Sequence, residues 1–334
     1  MISLILCSHN GQDRILSTLL SLSKLNLPSD TKVELVFVDS NSTQSMLGIV
    51  NHYWEEQGNP FPLLNLRESK AGKVAALRVG FEQASGDYFV IVDDDNELQI
   101  DYLEQGFHYL QQHPKVGVLG GQGMLPEEYE LPHWFDTYSY HFACGPQNSQ
   151  DGDVRPRRNV VYGAGMWVRK EAYHLALKNG LPFIFDFHAS NQSVKAFNNG
   201  GEDGELCWAI RFQGYEIHYL SSLVFTHRIA LSKFTDTYLK LIQERTNHST
   251  LIGTIYYRVD KLNVSKVKHF WIKEFLFIFF YYFKNLRFNF SYLTAELKRN
   301  FLNLFLLFIL RSKYDDKINL ILNFKNSSIK SNGV

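Results

Sequence analysis

The first 120 residues alternate between two patterns, and that alternation leaves the chain few architectures. ISLILC, VELVFVDS, FPLLNLRES and DYFVIVDDD are short, nearly continuous apolar runs. DRILSTLLSLSKL carries Ile15, Leu16, Leu19, Leu20 and Leu22 at helical spacing, and KVAALRVGFEQA and LQIDYLEQGFHYLQQ also read as helices. Strands without a polar face must be covered on both sides. The pattern therefore predicts a mostly parallel, Rossmann-like α/β sheet flanked by helices.

In open sheets of this kind ligands sit beyond the carboxyl ends of the strands. Three such ends are polar here: Ser8-His9-Asn10, Asp39-Ser40-Asn41 and Asp93-Asp94-Asp95. They are expected to converge on one site. No G-x-G-x-x-G follows the first run, which argues against a dinucleotide. The opening MISLILCSHN lacks a basic leader and is read as a first strand.

Residues 121–158 read as loop, rich in aromatics, Gly and Pro. Then VVYGAGMWVRKEAYHLAL reads as strand into helix, GGEDGELCWAIRFQGYEIHYL as helix into strand, and LVFTHRI as a further strand. The pattern is helical after about residue 232. This gives an α/β domain over 1–232, in halves of 1–120 and 121–232, followed by a helical region over 233–334.

Adjacent carboxylates at a strand tip are costly unless a cation neutralises them. Mg²⁺ or Mn²⁺ would do so, typically with one or two carboxylates and substrate phosphates as ligands. A turn is expected to begin at this point so that two of the acids can cooperate, with Asn96 and Glu97 favouring the break. A purely structural reading is a polar strand end leading into a helix N-terminus, where acids are favoured anyway. In NNGGEDGELCW a second acidic pair, Glu202-Asp203, precedes a helical pattern among glycines, where a carboxylate could act as general base or simply cap the helix.

In order, SLILCSHNGQDRILSTLLSL, ELVFVDSNST, AGKVAALRVGFEQASGDYFVIVDDDNEL, VVYGAGMWVRKEAY and GEDGELCWAIRFQGYEIHYL resemble glycosyltransferase family 2 over residues 1 to about 230. The resemblance implies a GT-A-fold catalytic domain over 1–232, with a nucleotide-binding half (1–120) and an acceptor half (121–232), and transfer of a sugar from a nucleotide donor with inversion. It implies that Ser8, His9, Asn10, Asp39, Gly72, Lys73, Asp93 and Asp94 line the donor nucleotide, and that Gly163, Ala164 and Gly165 wall the donor sugar. Asp93 and Asp95 flank a D-x-D, with Asp95 the foremost metal ligand and His227 joining it. Asp203, beside Glu202, is the implied base. Cys7, His9, Ser40 and Arg78 depart from the residues common in the family, so the nucleotide base is less defined, although UDP is expected. No Q-x-x-R-W of processive members is present, which suggests single additions. The implied role is surface-polysaccharide assembly on a glycan or lipid-linked acceptor. A non-catalytic nucleotide-sugar-binding protein and a sugar-1-phosphate nucleotidyltransferase are the alternatives.

Whole-chain charge is zero, but residues 261–334 hold 13 Lys/Arg against 4 Asp/Glu and 17 aromatics. Such a tail suits an anionic membrane surface on the cytoplasmic face, or packing against the catalytic domain or a second subunit. No nucleic-acid partner is expected. Cys7, Cys144 and Cys207 have no metal spacing and read as reduced thiols of a cytosolic protein.

Overall fold

The computed structural model describes residues 1–70, 72–155, 159–183, 201–264, 266–286 and 314–331. The chain forms two compact units: residues 1–178 with 202–242, and residues 179–201 with 243–334.

The first unit is built on a nine-stranded sheet, ordered β3-β2-β1-β4-β8-β6-β9-β5, with β7 also paired to β9. The four apolar runs become β1 (Ile2–Ser8), β2 (Val33–Ser40), β3 (Leu63–Glu68) and β4 (Tyr88–Asp93), all parallel. The register sets Ser8 beside Asp39, Cys7 beside Asp93 and Ser40 beside Glu68, so three polar tips end level. The other strands are β5 (Asn96–Leu98), β6 (Val116–Met124), β7 (Gly152–Asp153), β8 (Trp167–Arg169) and β9 (Glu216–His227). Of these, β8 lies antiparallel between β4 and β6, whereas β6 and β9 are parallel.

Helix α1 (Ile15–Ser23) buries Ile15, Thr18, Leu19 and Leu22, a one-sided stripe that covers the sheet. Helix α3 (Lys73–Gln83) starts after Gly72, whose φ of 136° few other residues adopt. Helix α2 (Leu47–Glu56), which the sequence reading passes over, buries only Val50 and Trp54 and has a weak pattern. Helix α4 (Tyr102–Gln112) begins later than its apolar pattern because Leu98 belongs to β5. The remaining helices are α5 (Phe135–Tyr138), α6 (Lys170–Lys178), α7 (Glu202–Phe212), α8 (Asp236–Lys261) and α9 (Phe270–Leu286), with a further helix over 314–331.

Three expectations change. Residues 121–158 are not all loop: β6 extends to Met124, and α5 and β7 lie within the span. The runs EIHYL and LVFTH form one strand, β9, whose pairing with β6 shifts register near Gly120 and Gln122. That irregularity accommodates residues such as Ser221 and Ser222 that look like a break in sequence. The break after β4 falls at Asp94-Asp95, while Asn96 and Glu97 open β5.

In the second unit the end of α8, α9 and the 314–331 helix enclose Ile255, Tyr256, Val259, Tyr314, Ile318, Ile321 and Leu322. Trp271 N donates to Asp315 Oδ1 at 2.9 Å, and Lys325 Nζ donates to the Val259 and Asp260 carbonyls at 2.9 Å, satisfying the last turn of α8. Among the described residues, no helix is long and apolar enough to cross a membrane. The apolar stretch FLNLFLLFILRSK lies outside the described residues.

Candidate active site

The loops after β1 and β2 are stitched together. Asn10 N donates to Ser42 Oγ at 2.9 Å, Thr43 N donates to Asn10 Oδ1 at 2.9 Å, and His9 Nδ1 lies 2.7 Å from Ser40 O. Asn10 and Asn41 hold φ of 50° and 54°, conformations that asparagine tolerates better than most residues. Gly72 N donates to Ser40 Oγ at 3.2 Å, bringing the start of α3 to the same place. Asp39 is fully buried and shapes this loop from inside: it accepts from Ser42 N at 2.9 Å and Met46 N at 3.2 Å. Burial opposes its charge, but these bonds and Arg67 hold its carboxyl below the usual range.

The turn at Asp94-Asp95 sends three consecutive carboxylates to three different cations. Asp93 Oδ1 lies 2.5 Å from Lys73 Nζ on α3. Asp94 turns inward, where Arg14 donates to it through Nε at 2.7 Å and through a second nitrogen at 2.8 Å. Ser8 Oγ also donates to it. Asp95 Oδ1 lies 3.3 Å from His227 Nε2 at the end of β9, a meeting set by the pairing of Asn96 with His227. Burial lifts Asp94 above the usual carboxylate range despite Arg14 and Ser8. Burial acts the same way on Asp95, but the His227 imidazole outweighs it and holds Asp95 low. Burial disfavours the imidazolium of His227, yet Asp95 and the neighbouring Cys144 raise it to about 10.

The second acidic patch meets the first through Lys73. Asp203, in the first turn of α7, accepts from Gly163 N at 3.1 Å and from Gly204 N at 2.7 Å. Asp93, Glu202 and Asp203 together raise the Lys73 ammonium well above its ordinary value, overcoming burial. Burial raises Glu202, with Lys73 opposing and Asp203 and Asp93 adding to the effect. Ala164 is buried, and Gly165 holds φ of 68° with its carbonyl accepting from Tyr102 Oη at 2.6 Å. A methyl on Gly163 would stand 3.2 Å from Asp203 Cβ, so the close approach of this wall to α7 depends on a small residue.

Of the expected site residues, the strand-tip set, Lys73, the Gly163–Gly165 wall and both acidic patches thus come together. Among the metal candidates, Asp95 and His227 are adjacent, while Asp93 is engaged by Lys73. No group of three ligating side chains occurs among the described residues. Arg14, Arg67, Tyr102 and Phe142 were not expected. Phe142 contributes only its carbonyl, 2.8 Å from His227 Nδ1, for which a sequence carries no signal. Arg14 and Arg67 look like ordinary surface cations until their buried partners, Asp94 and Asp39, are placed beside them. All three cysteines are free thiols, and burial pushes Cys7 and Cys207 up to about 12.

Curated relatives include the poly-beta-1,6-N-acetyl-D-glucosamine synthase of Staphylococcus aureus (strain MSSA476), 25% identical over 222 residues, 65% of this chain and 47% of the relative. An uncharacterized glycosyltransferase of Haemophilus influenzae is 28% identical over 120 residues, 36% of this chain and 46% of the relative. The chain thus spans about half the length of the curated relatives it matches. Among solved structures, S. aureus TarS 1-349 in complex with UDP-GlcNAc aligns with a TM-score of 0.55 at 16% identity, covering 99% of this chain and 91% of that one. The mannosyltransferase PcManGT of Pyrobaculum calidifontis, in complex with GDP-Man and Mn2+, gives 0.54 at 15% identity, covering 99% and 86%. These likenesses establish the GT-A fold. Residues 3–174 match the family described as Glycosyl transferase family 2, and with this strand order and these converging strand tips the chain belongs to that family.

Proposed function

We propose that the chain moves one sugar per turnover from a nucleoside-diphosphate sugar, with UDP as the nucleotide, to an acceptor hydroxyl, inverting the anomeric centre. The acceptor in this reading is a lipid-linked glycan of surface-polysaccharide assembly, met at the cytoplasmic face of the membrane. The observation that carries the proposal is the convergence of two sequence-distant acidic patches on Lys73 at the carboxyl ends of the parallel strands. The names of the relatives, one a poly-N-acetylglucosamine synthase and one bound to UDP-GlcNAc, support a UDP-sugar donor.

Asp95 and His227 fit a divalent cation. A carboxylate oxygen and an imidazole nitrogen 3.3 Å apart are both ordinary donors for Mn²⁺. His227 Nδ1 faces the Phe142 carbonyl, so in the neutral ring its proton sits there and the Nε2 lone pair faces Asp95. Phosphate oxygens of the donor would complete the shell. Bound there, the ion would stabilise the charge that builds on the departing diphosphate.

The chain's own residues supply the rest. Lys73 brings fixed positive charge beside the strand tips. The loops holding His9, Asn10 and Ser42 form the nucleotide's floor, and Gly163–Gly165 lets the sugar approach α7. Asp203, oriented by the Gly163 and Gly204 amides, takes the acceptor hydroxyl's proton as that oxygen attacks the anomeric carbon opposite the leaving group.

A panel of nucleotide sugars, assayed with and without Mn²⁺ for binding and for nucleoside-diphosphate release, tests this reading. Asp203→Asn should cut turnover at least about 10²-fold while donor binding survives. Absence of Mn²⁺-dependent binding and turnover across the panel would sink it, and near-normal turnover of Asp203→Asn would remove the base.

A further inference from the structure

We propose that Gln147 is a positioning residue for Asp203, holding in place the backbone amide that orients this carboxylate. The inference rests on the reading of Asp203 as the base. Gln147 is buried, at 3% exposure, and its side chain joins two backbone groups. Nε2 donates to the Gly121 carbonyl of β6 at 2.7 Å, and Oε1 accepts from Tyr162 N at 2.6 Å. A carbonyl only accepts and a backbone N–H only donates, so these partners fix which way the side-chain amide faces. Tyr162 immediately precedes Gly163, whose N donates to Asp203 Oδ2 at 3.1 Å. A turn of the Tyr162 backbone would swing the next peptide and carry the Gly163 amide off the carboxylate. Gln147 opposes that turn by tying Tyr162 to a central strand. The other bond to Asp203, from Gly204 N, lies within the first turn of α7 and does not fix the carboxylate against the wall.

The segment that carries Gln147 is itself fastened. Gly145 N donates to Gly123 O at 2.8 Å, a bridge to the same strand β6, and Cys144 N donates to Ser139 O at 3.1 Å. Ala143 holds φ of 53°, in the left-handed region, which redirects the chain just after Phe142. The Phe142 carbonyl faces His227 Nδ1 at 2.8 Å. Residues 142–147 therefore reach from the imidazole beside Asp95 to the wall beside Asp203. Buried N–H and C=O groups are costly to leave unpaired, so removing the Gln147 amide favours a shift of the wall that re-pairs them.

The test compares Gln147→Met and Gln147→Glu with the wild type and with Asp203→Asn, using a nucleotide sugar of the panel above that the wild type turns over. Thermal melts establish that each variant is folded at the assay temperature. Methionine keeps the length and drops both hydrogen bonds. Gln147→Met should lower kcat about tenfold or more, while KM for the donor and Mn²⁺ affinity in titrations with UDP change less than about twofold. Glutamate still accepts from Tyr162 N but donates to Gly121 O only when protonated, a form that burial favours. Its kcat relative to wild type should therefore rise as pH falls from about 8 to about 6, a ratio that a packing role would leave flat. The proposal is overturned if folded Gln147→Met keeps the wild-type kcat, if its loss falls on KM or on Mn²⁺ affinity, or if the Gln147→Glu ratio does not move with pH. Should Gln147→Met not fold, the Gln147→Glu ratio decides alone. Near-normal turnover of Asp203→Asn, or a wild type that turns over no nucleotide sugar, would remove the base and this inference with it, and both results are read without any Gln147 variant.

Discussion

Asp95 Oδ1 faces His227 Nε2 across 3.3 Å, joining the turn after β4 to the last residue of β9. Its neighbours Asp93 and Asp94 face other cations, Lys73 and Arg14. Three adjacent acids thus carry three separate tasks. Asp94 fastens the loop to α1, Asp93 anchors the lysine shared with α7, and Asp95 presents one oxygen beside an imidazole.

His227→Ala should weaken Mn²⁺ binding by at least about tenfold, measured by titration in the presence of nucleoside diphosphate, because one of two protein donors is lost. Nucleotide binding without metal should change much less. Equal Mn²⁺ affinity in variant and wild type would place the ion elsewhere.

Lys73→Met leaves Asp93, Glu202 and Asp203 without their common cation. With the lysine side chain 33% exposed, solvent relieves part of that repulsion, and we expect a loss of about 1–3 kcal/mol in urea unfolding. Adding Glu202→Gln should restore part of it, and the double-mutant cycle measures the coupling. Strict additivity would show that the two groups do not interact.

Gly11→Ala is expected to destabilise by about 1–3 kcal/mol, because the new methyl falls on Ser8 Oγ and Asp94 Oδ2. The same change at Gly48, where nothing lies near the added methyl, serves as the control and should not destabilise. Thermal melts of the two variants give the comparison.

His218 gives a pH dependence remote from the strand tips. It lies buried between Tyr109 Oη at 2.9 Å and Glu216 Oε2 at 3.0 Å, with Asp153 and His113 also nearby. Burial lowers its pKa below 6.5 despite Glu216, so the unfolded chain takes up a proton more readily than the native one. Stability is therefore complete above 6.5 and declines as pH falls below it. His218→Gln should flatten that decline in melts recorded across the range. An unchanged slope would assign the decline to other groups.

Much of the fold of the first 120 residues was legible in the chain. Continuous apolar runs and one-sided helical stripes are local patterns, and burial on both faces follows directly from them. The polar tips were readable for the same reason, since residues that end an apolar run must lie at the sheet's edge. Helix α2 escaped because Val50 and Trp54 are too few to make a stripe. The union of EIHYL and LVFTH into β9 escaped because a register shift absorbs the polar interruption.

By itself, the order of residues determined that acids would gather at strand ends, and that a second acidic pair would open a helix. Only the tertiary structure decided which cation answers which aspartate. Arg14, Lys73 and His227 come from three separate elements, α1's leading loop, α3 and β9; the family resemblance singles out Lys73 and His227, but Arg14 looks in sequence like any surface cation. Their pairing depends on sheet order and on the turn at Asp94-Asp95. Coulomb attraction acts through space and favours whichever opposite charge the fold brings within a few ångströms, whatever its distance along the chain.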